Sequence, residues 1–177
     1  MMTLSRLLCC AVVCLCANSA RADVESGPAA GAPVPKLISY VMIGNGNGPV
    51  DLTQQRGNKP TIYCFVTADK FSRQVYRLLR ALDERVTEAA AEAELVMVWV
   101  TADVDETKDF LKRAEPSLKG KVSTFSVFEG DANGPGEWGI NTDAELTVVI
   151  VRDAQVKKSL GYASANETLA DAILASL

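Results

Sequence analysis

The sequence predicts an α/β domain whose sheet has a parallel core. Residues 61–66 and 95–101 are apolar or β-branched almost throughout, a composition typical of parallel strands buried on both faces. Apolar residues recur every three or four positions after the first run, the spacing of a helix with one buried face. A helix start signal follows the second run. This strand, helix, strand, helix order favours right-handed crossovers and a parallel core.

Both helices have predicted boundaries. Asp69 is the predicted cap for the free amides at the start of the first helix. The buried face of that helix is predicted to contain Phe71, Val75, Leu78, Leu79, Leu82 and Val86. In the second helix, Asp103 and Glu106 form a pair like a capping box, and Pro116 is expected to end the helix because proline has no amide hydrogen.

A strand and a glycine-rich turn are predicted before this core. Residues 37–43 form a short β-rich run that breaks at residues 44–49, where glycine and asparagine permit tight turns. The glycines invite a nucleotide-binding interpretation. Pro49, however, occupies the third glycine position of a dinucleotide fingerprint, and no Gly-Lys-Ser/Thr follows, so a plain turn is favoured.

The second half of the chain predicts three more strands and a last helix. Residues 124–128 form one short strand. Residues 146–151 and 156–160 are predicted as two strands of an antiparallel hairpin, because only the turn 152–155 separates them. Ser164, with a glutamate three positions later, is expected to open a helix that runs to the C-terminus.

The start of the chain has the layout of a signal peptide. Arg6 precedes the apolar run 7–17, which as a helix would span only about half of a ~30 Å hydrocarbon core. Ala20-Arg21-Ala22 supplies the small residues that a signal peptidase requires, so residues 1–22 are predicted to be removed. The protein is then exported, to the periplasm or the medium. A lipid-modified or uncleaved anchor is the alternative.

The next segment is predicted to be a flexible tether. Residues 23–36 are small and rich in proline, a composition that buries too little apolar surface to offset the entropy of ordering. A single domain is therefore expected over residues 37–177.

Composition excludes several classes of function. Loss of Arg6 and Arg21 with the signal changes the formal net charge from −4 to −6, so we expect no nucleic-acid partner. Because the short apolar run 7–17 leaves with the signal, we also expect no stable membrane insertion after cleavage. The chain has no histidine, which argues against zinc sites and against Ser/His or Cys/His catalysis. The acidic loop 129–145 lacks the ligand spacing of a calcium loop. No metal or cofactor is predicted.

The predicted order of elements resembles that of the thioredoxin-like superfamily. Two parallel strands with crossover helices, a closing hairpin and a terminal helix cover about residues 37–177. Residues 50–53, which precede the Gly-Asn-Lys-Pro segment 57–60, resemble the entrance to the redoxin branch, which includes peroxiredoxin-like proteins. The resemblance implies a mixed sheet with helices on both faces.

The chain departs from this family at the residues that carry its activity. Members have a Cys-x-x-Cys motif at the start of the first helix, where this sequence has Lys70 and Arg73. They also have a cis-proline and a threonine that open the third core strand, where this sequence has Leu146 and Thr147. The resemblance thus implies a degenerate active-site surface made of Thr67, Asp69, Lys70, Arg73, Leu146 and Thr147.

Cys64 is the cysteine that remains after signal cleavage. A peroxidatic thiol sits in the first turn of a helix, where the helix dipole and a nearby cation lower its pKa. Cys64 instead lies between Tyr63 and Phe65 inside the predicted strand, so a buried and inert thiol is favoured.

A basic stripe on the first helix is a second feature that could bind a ligand. Lys70, Arg73, Arg77 and Arg80 share one helix face and could receive an anionic ligand or an acidic partner. A solvated face balanced by neighbouring acids is the favoured interpretation.

Two functional hypotheses follow. The first is a non-catalytic module that binds a protein or peptide partner; the second is a one-cysteine thiol peroxidase or other redox enzyme acting through Cys64. The single remaining thiol and its place in a strand favour the first, so enzymatic activity is not expected.

We predict that the exported chain begins at Asp23, because Ala20-Arg21-Ala22 follows an apolar run too short for an anchor. N-terminal sequencing of the exported protein checks this. A membrane-bound product that retains residues 1–22 would contradict it.

Overall fold

The computed structural model describes residues 23–118 and 120–177, which form one seven-stranded sheet with four α-helices. The predicted signal peptide lies outside the described residues. The strands are β1 (Ile38–Ile43), β2 (Gly48–Asp51), β3 (Thr61–Thr67), β4 (Glu94–Val100), β5 (Ser123–Val127), β6 (Leu146–Arg152) and β7 (Gln155–Tyr162). The helices are α1 (Leu52–Arg56), α2 (Arg73–Ala89), α3 (Val104–Leu118) and α4 (Ala170–Leu174).

The sheet is mixed, as predicted. Its strand order is β2-β1-β5-β4-β3-β6-β7. β3, β4 and β5 are parallel, whereas β6, β7, β1 and β2 join antiparallel to their neighbours. The α/β class and the parallel centre are therefore confirmed. β2 was not predicted; it carries Pro49, which the sheet accepts because β2 is an edge strand.

Alternating side chains along the strands form two hydrophobic cores, one on each face of the sheet. In β3, Ile62, Cys64 and Val66 belong to one core, and Tyr63 and Phe65 belong to the other. Because β3, β4 and β5 follow one another across the sheet in one direction, right-handed crossovers place α2 and α3 on the same face. The two longest helices, α2 and α3, contribute with α4 to that first core, while Leu52 of α1 and Trp138 cover the opposite face.

Two predicted helix ends differ from the structure. Asp69 lies in a short 3₁₀ turn, and α2 begins after Ser72, whose Oγ accepts a hydrogen bond from the Val75 amide at 3.2 Å. The extended backbone at Phe71 and Ser72 separates the turn from the helix, so Asp69 cannot be the cap. Pro116 does not end α3, because the helix continues to Leu118, which is buried in the first core.

The other helix signals have mixed outcomes. Asp103 is the α3 cap as predicted, since its Oδ1 accepts from the Glu106 amide at 2.9 Å. The last helix starts later than Ser164: Asn166 accepts from the Thr168 amide at 3.0 Å and opens a 3₁₀ turn that leads into α4.

The prediction of an antiparallel hairpin is confirmed. β6 and β7 pair antiparallel, and Asp153 and Ala154, which both have positive φ, form the two-residue turn between them.

The segment predicted as a flexible tether packs against β7. Val24 bridges to Gly161 and Pro33 bridges to Gln155, at the two ends of the strand. The hydroxyl of Ser26, which is buried, lies 2.7 Å from that of Thr147. Because β7 is the last strand of the sheet, its outer edge offers unpaired backbone groups that these residues satisfy. Composition alone does not reveal such a partner.

Among the described residues, no helix has both the length and the apolar character needed to cross a membrane.

We predict that Gly161→Ala displaces the N-terminal segment. A Cβ at position 161 would lie 2.4 Å from the Val24 carbonyl oxygen, so the segment must move away. The expected result is faster proteolysis within residues 23–36 and a loss of about 1–3 kcal/mol in the free energy of unfolding. Limited proteolysis and urea denaturation measure both.

The matched control is Gly136→Ala, because a Cβ at position 136 meets no atom within 4 Å. If Gly161→Ala matches the wild type in both measurements, the segment does not pack as described.

Candidate functional site

A cleft of about 800 Å³ lies at the carboxyl ends of β3 and β4. These strands are parallel, so the residues that follow them meet at one edge of the sheet, which is where ligands bind in open α/β sheets. Its lining comes from β3 and the turn after it, from β4 and α3, and from the loops around residues 132 and 142.

The end of β3 is tied to the loop that precedes β6. The Thr67 hydroxyl donates to the Ala144 carbonyl at 2.8 Å, and the Thr67 amide donates to the Glu145 carbonyl at 3.3 Å. Lys70 Nζ donates to the carbonyls of Thr142 and Asp143 at 2.6 and 3.1 Å. These four hydrogen bonds fix the conformation of that wall of the cleft in the unliganded protein.

Aromatic rings form a second wall. The Phe71 ring packs edge-on against Trp99, with centroids 5.6 Å apart, and against Phe110, with centroids 6.1 Å apart. Trp99 is buried, whereas Phe110 is 36% exposed, one of two large apolar side chains among the described residues with that much exposure. The aromatic cluster therefore runs from the core to the surface of the cleft.

The charged residues of the cleft are mainly acidic. Four exposed carboxylates line it, against two cations, Lys70 and Arg113; the carboxylates are Asp69, Asp103, Glu106 and Asp143. None of the four forms an ion pair with a lysine or arginine in the described part of the chain.

The structure brings together only part of the surface predicted from the sequence. Thr67, Asp69 and Lys70 line the cleft. Arg73 is the exposed first residue of α2 and is not part of the lining. Leu146 and Thr147 are buried within β6, and Ser26 covers the Thr147 hydroxyl, so neither is accessible in this arrangement.

The contribution of β4 and α3 to the cleft was not predicted from the sequence. Trp99, Phe110 and Arg113 line the cleft, and Asp103 and Glu106 were noted only as capping residues. The parallel order of β3 and β4 was predicted and could have indicated that the residues after both strands meet. The aromatic wall had no comparable signal, because it depends on how α3 packs.

The basic stripe is partly neutralised. Lys70 lies in the 3₁₀ turn before α2 and does not share the helix with Arg73, Arg77 and Arg80 as predicted. Arg77 pairs with Glu167 at 3.9 Å, and Arg80 pairs with Glu84 at 2.9 Å. These exposed ion pairs fit the interpretation of the stripe as a solvent-exposed surface balanced by acids. Of the four cations, only Lys70 lines the cleft.

Cys64 lies away from the cleft, in the core. Its exposure is 0%, and burial raises the pKa of the thiol because the interior disfavours the thiolate. Tyr162 belongs to the same core, and burial raises the pKa of its hydroxyl to about 12, with smaller contributions from Asp23 and Cys64. Both groups keep their protons near neutral pH.

A smaller cavity of about 190 Å³ lies beside α2, next to the buried carboxylate of Asp83. This carboxylate accepts hydrogen bonds from the amides of Lys121 and Val122 and from the Ser123 hydroxyl. The Asp83 carboxylate is therefore occupied by hydrogen bonds that stabilise the fold. In residues 23–118 and 120–177, no group of three or more Cys, Asp or Glu is placed to hold a metal ion.

Comparison with known proteins yields structural matches only. No family model and no curated protein sequence matches the chain. A DsbF homologue from Corynebacterium diphtheriae superposes with a TM-score of 0.60 at 11% identity, over 83% of this chain and 87% of that one. A putative thiol:disulfide interchange protein DsbE from Chlorobium tepidum gives 0.55 at 16% identity, over 84% and 97% of the two chains.

A yeast mitochondrial 1-Cys peroxiredoxin is also similar, with a TM-score of 0.54 at 12% identity over 80% of this chain and 71% of that one. Such low identities establish shared architecture and leave activity open. The chain therefore has the thioredoxin-like fold, in the form shared by redoxin, peroxiredoxin and DsbE-type proteins, as its resemblance to that superfamily indicated.

Proposed function

We propose that this protein is an exported thioredoxin-like domain that binds a protein or peptide partner at the cleft and performs no thiol redox chemistry. The observation that carries the proposal is the separation of the two features. Cys64 is fully buried in β3, whereas the cleft presents its aromatic and charged side chains to solvent. Export rests on the signal-peptide layout of residues 1–22.

Thiol chemistry has two requirements that residues 23–177 do not meet. Disulfide exchange needs an attacking thiolate and a second thiol to resolve the mixed disulfide, and this part of the chain contains one cysteine. Peroxide reduction needs one accessible thiolate. Burial raises the pKa of Cys64, and the thiol has no exposed surface through which peroxide could reach it.

The cleft supports binding through its size and rigidity. Its volume of about 800 Å³ lies within the usual range for ligand sites, about 300–1,000 Å³. Lys70 and Thr67 hold the loop before β6 in place, so little ordering entropy is lost when a partner binds.

The alternative is a one-cysteine thiol peroxidase acting through Cys64. The structural similarity to a 1-Cys peroxiredoxin is the observation that favours it. This activity would require β3 to open locally, which breaks its pairing with β4 and β6.

We predict that the native protein does not react with a bulky aromatic disulfide reagent such as dithionitrobenzoate, because Cys64 has no exposed surface. For the chain that begins at Asp23, which contains one cysteine, one thiol per chain should react after denaturation in guanidinium chloride. Absorbance of the released thiolate measures both reactions. Rapid labelling of the native protein would show that β3 opens, and would favour the alternative.

We also predict that the protein neither reduces insulin disulfides nor consumes hydroperoxide faster than its Cys64→Ser variant. Serine replaces sulfur with a smaller group, so the variant should stay folded with a loss of about 1–3 kcal/mol in the free energy of unfolding. A coupled peroxidase assay and circular dichroism provide the two measurements. If the wild type turns over peroxide and a folded Cys64→Ser variant does not, the protein is a one-cysteine peroxidase.

A further inference from the structure

We propose that the partner segment is basic: the cleft at the ends of β3 and β4 accepts a peptide that carries lysine or arginine among apolar side chains. This inference rests on the proposed function above and specifies the chemistry of the partner. The cleft combines two features, an excess of carboxylates that no described lysine or arginine neutralises and a partly exposed aromatic ring, Phe110, and both favour a cationic side chain with an apolar stem.

The charge of the cleft is the first step. Its four carboxylates outnumber its two cations, and Lys70 already donates to the Thr142 and Asp143 carbonyls. Carboxylates elsewhere on the described surface are often paired, as Glu129 is with Lys108 and Glu84 with Arg80. Those in the cleft are not paired with a described lysine or arginine, so they are available to a cation from outside.

The aromatic wall is the second step. Phe110 is 36% exposed and packs edge-on against Phe71, which leaves part of the Phe110 ring open to the cleft. A lysine or arginine is attracted to the face of such a ring, and its methylene stem buries apolar surface at the same time. Phe110 and Glu106 belong to α3, and Asp103 is the cap that precedes the same helix.

An acidic partner fits less well. The start of α3 would ordinarily favour an anion, because helix amides are free there. Asp103 already caps the Glu106 amide, and Asp105 and Glu106 occupy the first turn. An anionic peptide would therefore meet several carboxylates of like charge, which suppresses binding.

Three fluorescently labelled synthetic peptides test the proposal by fluorescence anisotropy with the purified protein. They share the same apolar residues and carry lysine, serine or glutamate at the same remaining positions. We expect the lysine peptide to bind about tenfold more tightly than the serine peptide, and the glutamate peptide to bind most weakly. The difference should shrink between about 0.05 and 0.5 M salt, because screening weakens exposed charge interactions.

A pair of substitutions that removes charge with little change in side-chain shape locates the effect. Asp103→Asn with Glu106→Gln removes two charges, and asparagine caps a helix about as well as aspartate does. We expect the lysine peptide to bind about fivefold more weakly to this variant, with little change for the serine peptide. The matched control is Asp105→Asn with Asp109→Asn, which makes the same charge change on exposed residues of α3 outside the cleft. It should weaken binding less than about twofold.

Phe110→Leu tests the ring itself, since leucine remains apolar but has no π face. This substitution should weaken binding of the lysine peptide more than binding of the serine peptide. Circular dichroism of each variant establishes that it is folded.

The outcomes separate this inference from the proposed function. If the serine or glutamate peptide binds as tightly as the lysine peptide, or if the control variant loses as much affinity as the cleft variant, the basic segment is the wrong partner and peptide binding stands. If none of the three peptides binds at either salt concentration, this inference and peptide binding at the cleft are both contradicted.

Discussion

Burial of β3 on both faces is the constraint on which the rest of the structure depends. All seven residues of the strand are buried, and it pairs parallel with β4 on one side and antiparallel with β6 on the other. Two consequences follow. The strand needs a covering layer on each face, which α2 and α4 supply on one side and Trp138 supplies on the other. Polar side chains that line the cleft therefore begin where the strand ends, at Thr67.

This constraint also separates the thiol from the cleft. Cys64 points into the core that contains α2, and Thr67, three positions later, lines the cleft. A strand residue cannot leave the core without breaking the ladder on both sides, whereas the residues after the strand are free to make a site. The same fold that supports redox chemistry elsewhere is compatible here with a binding surface, because activity depends on the side chains at that edge and not on the sheet.

Local patterns in the sequence predicted most of the elements for physical reasons that are themselves local. Runs 61–66 and 95–101 are strands because their side chains suit burial on both faces, and Asp103 caps α3 because its carboxylate reaches an amide three residues away. Contacts between distant residues had no such signal. Arg56 pairs with Glu94 at 2.7 Å while both are nearly buried, although they lie 38 positions apart. The candidate site was half predicted for the same reason: Thr67, Asp69 and Lys70 follow one strand, but Trp99 and Phe110 join them through the packing of β4 and α3.

The N-terminal segment shows most clearly which features the sequence predicts and which depend on the tertiary structure. The sequence by itself determined the α/β class and the parallel centre, because composition and spacing decide which segments can be strands and which residues stand at their ends. Only the tertiary structure decided that residues 23–36 lie along β7, that Thr147 is covered by Ser26, and that four carboxylates and an aromatic wall share one cleft. The physical reason is that these features depend on which unpaired edges and faces meet, and a chain's composition does not state which of its surfaces become neighbours.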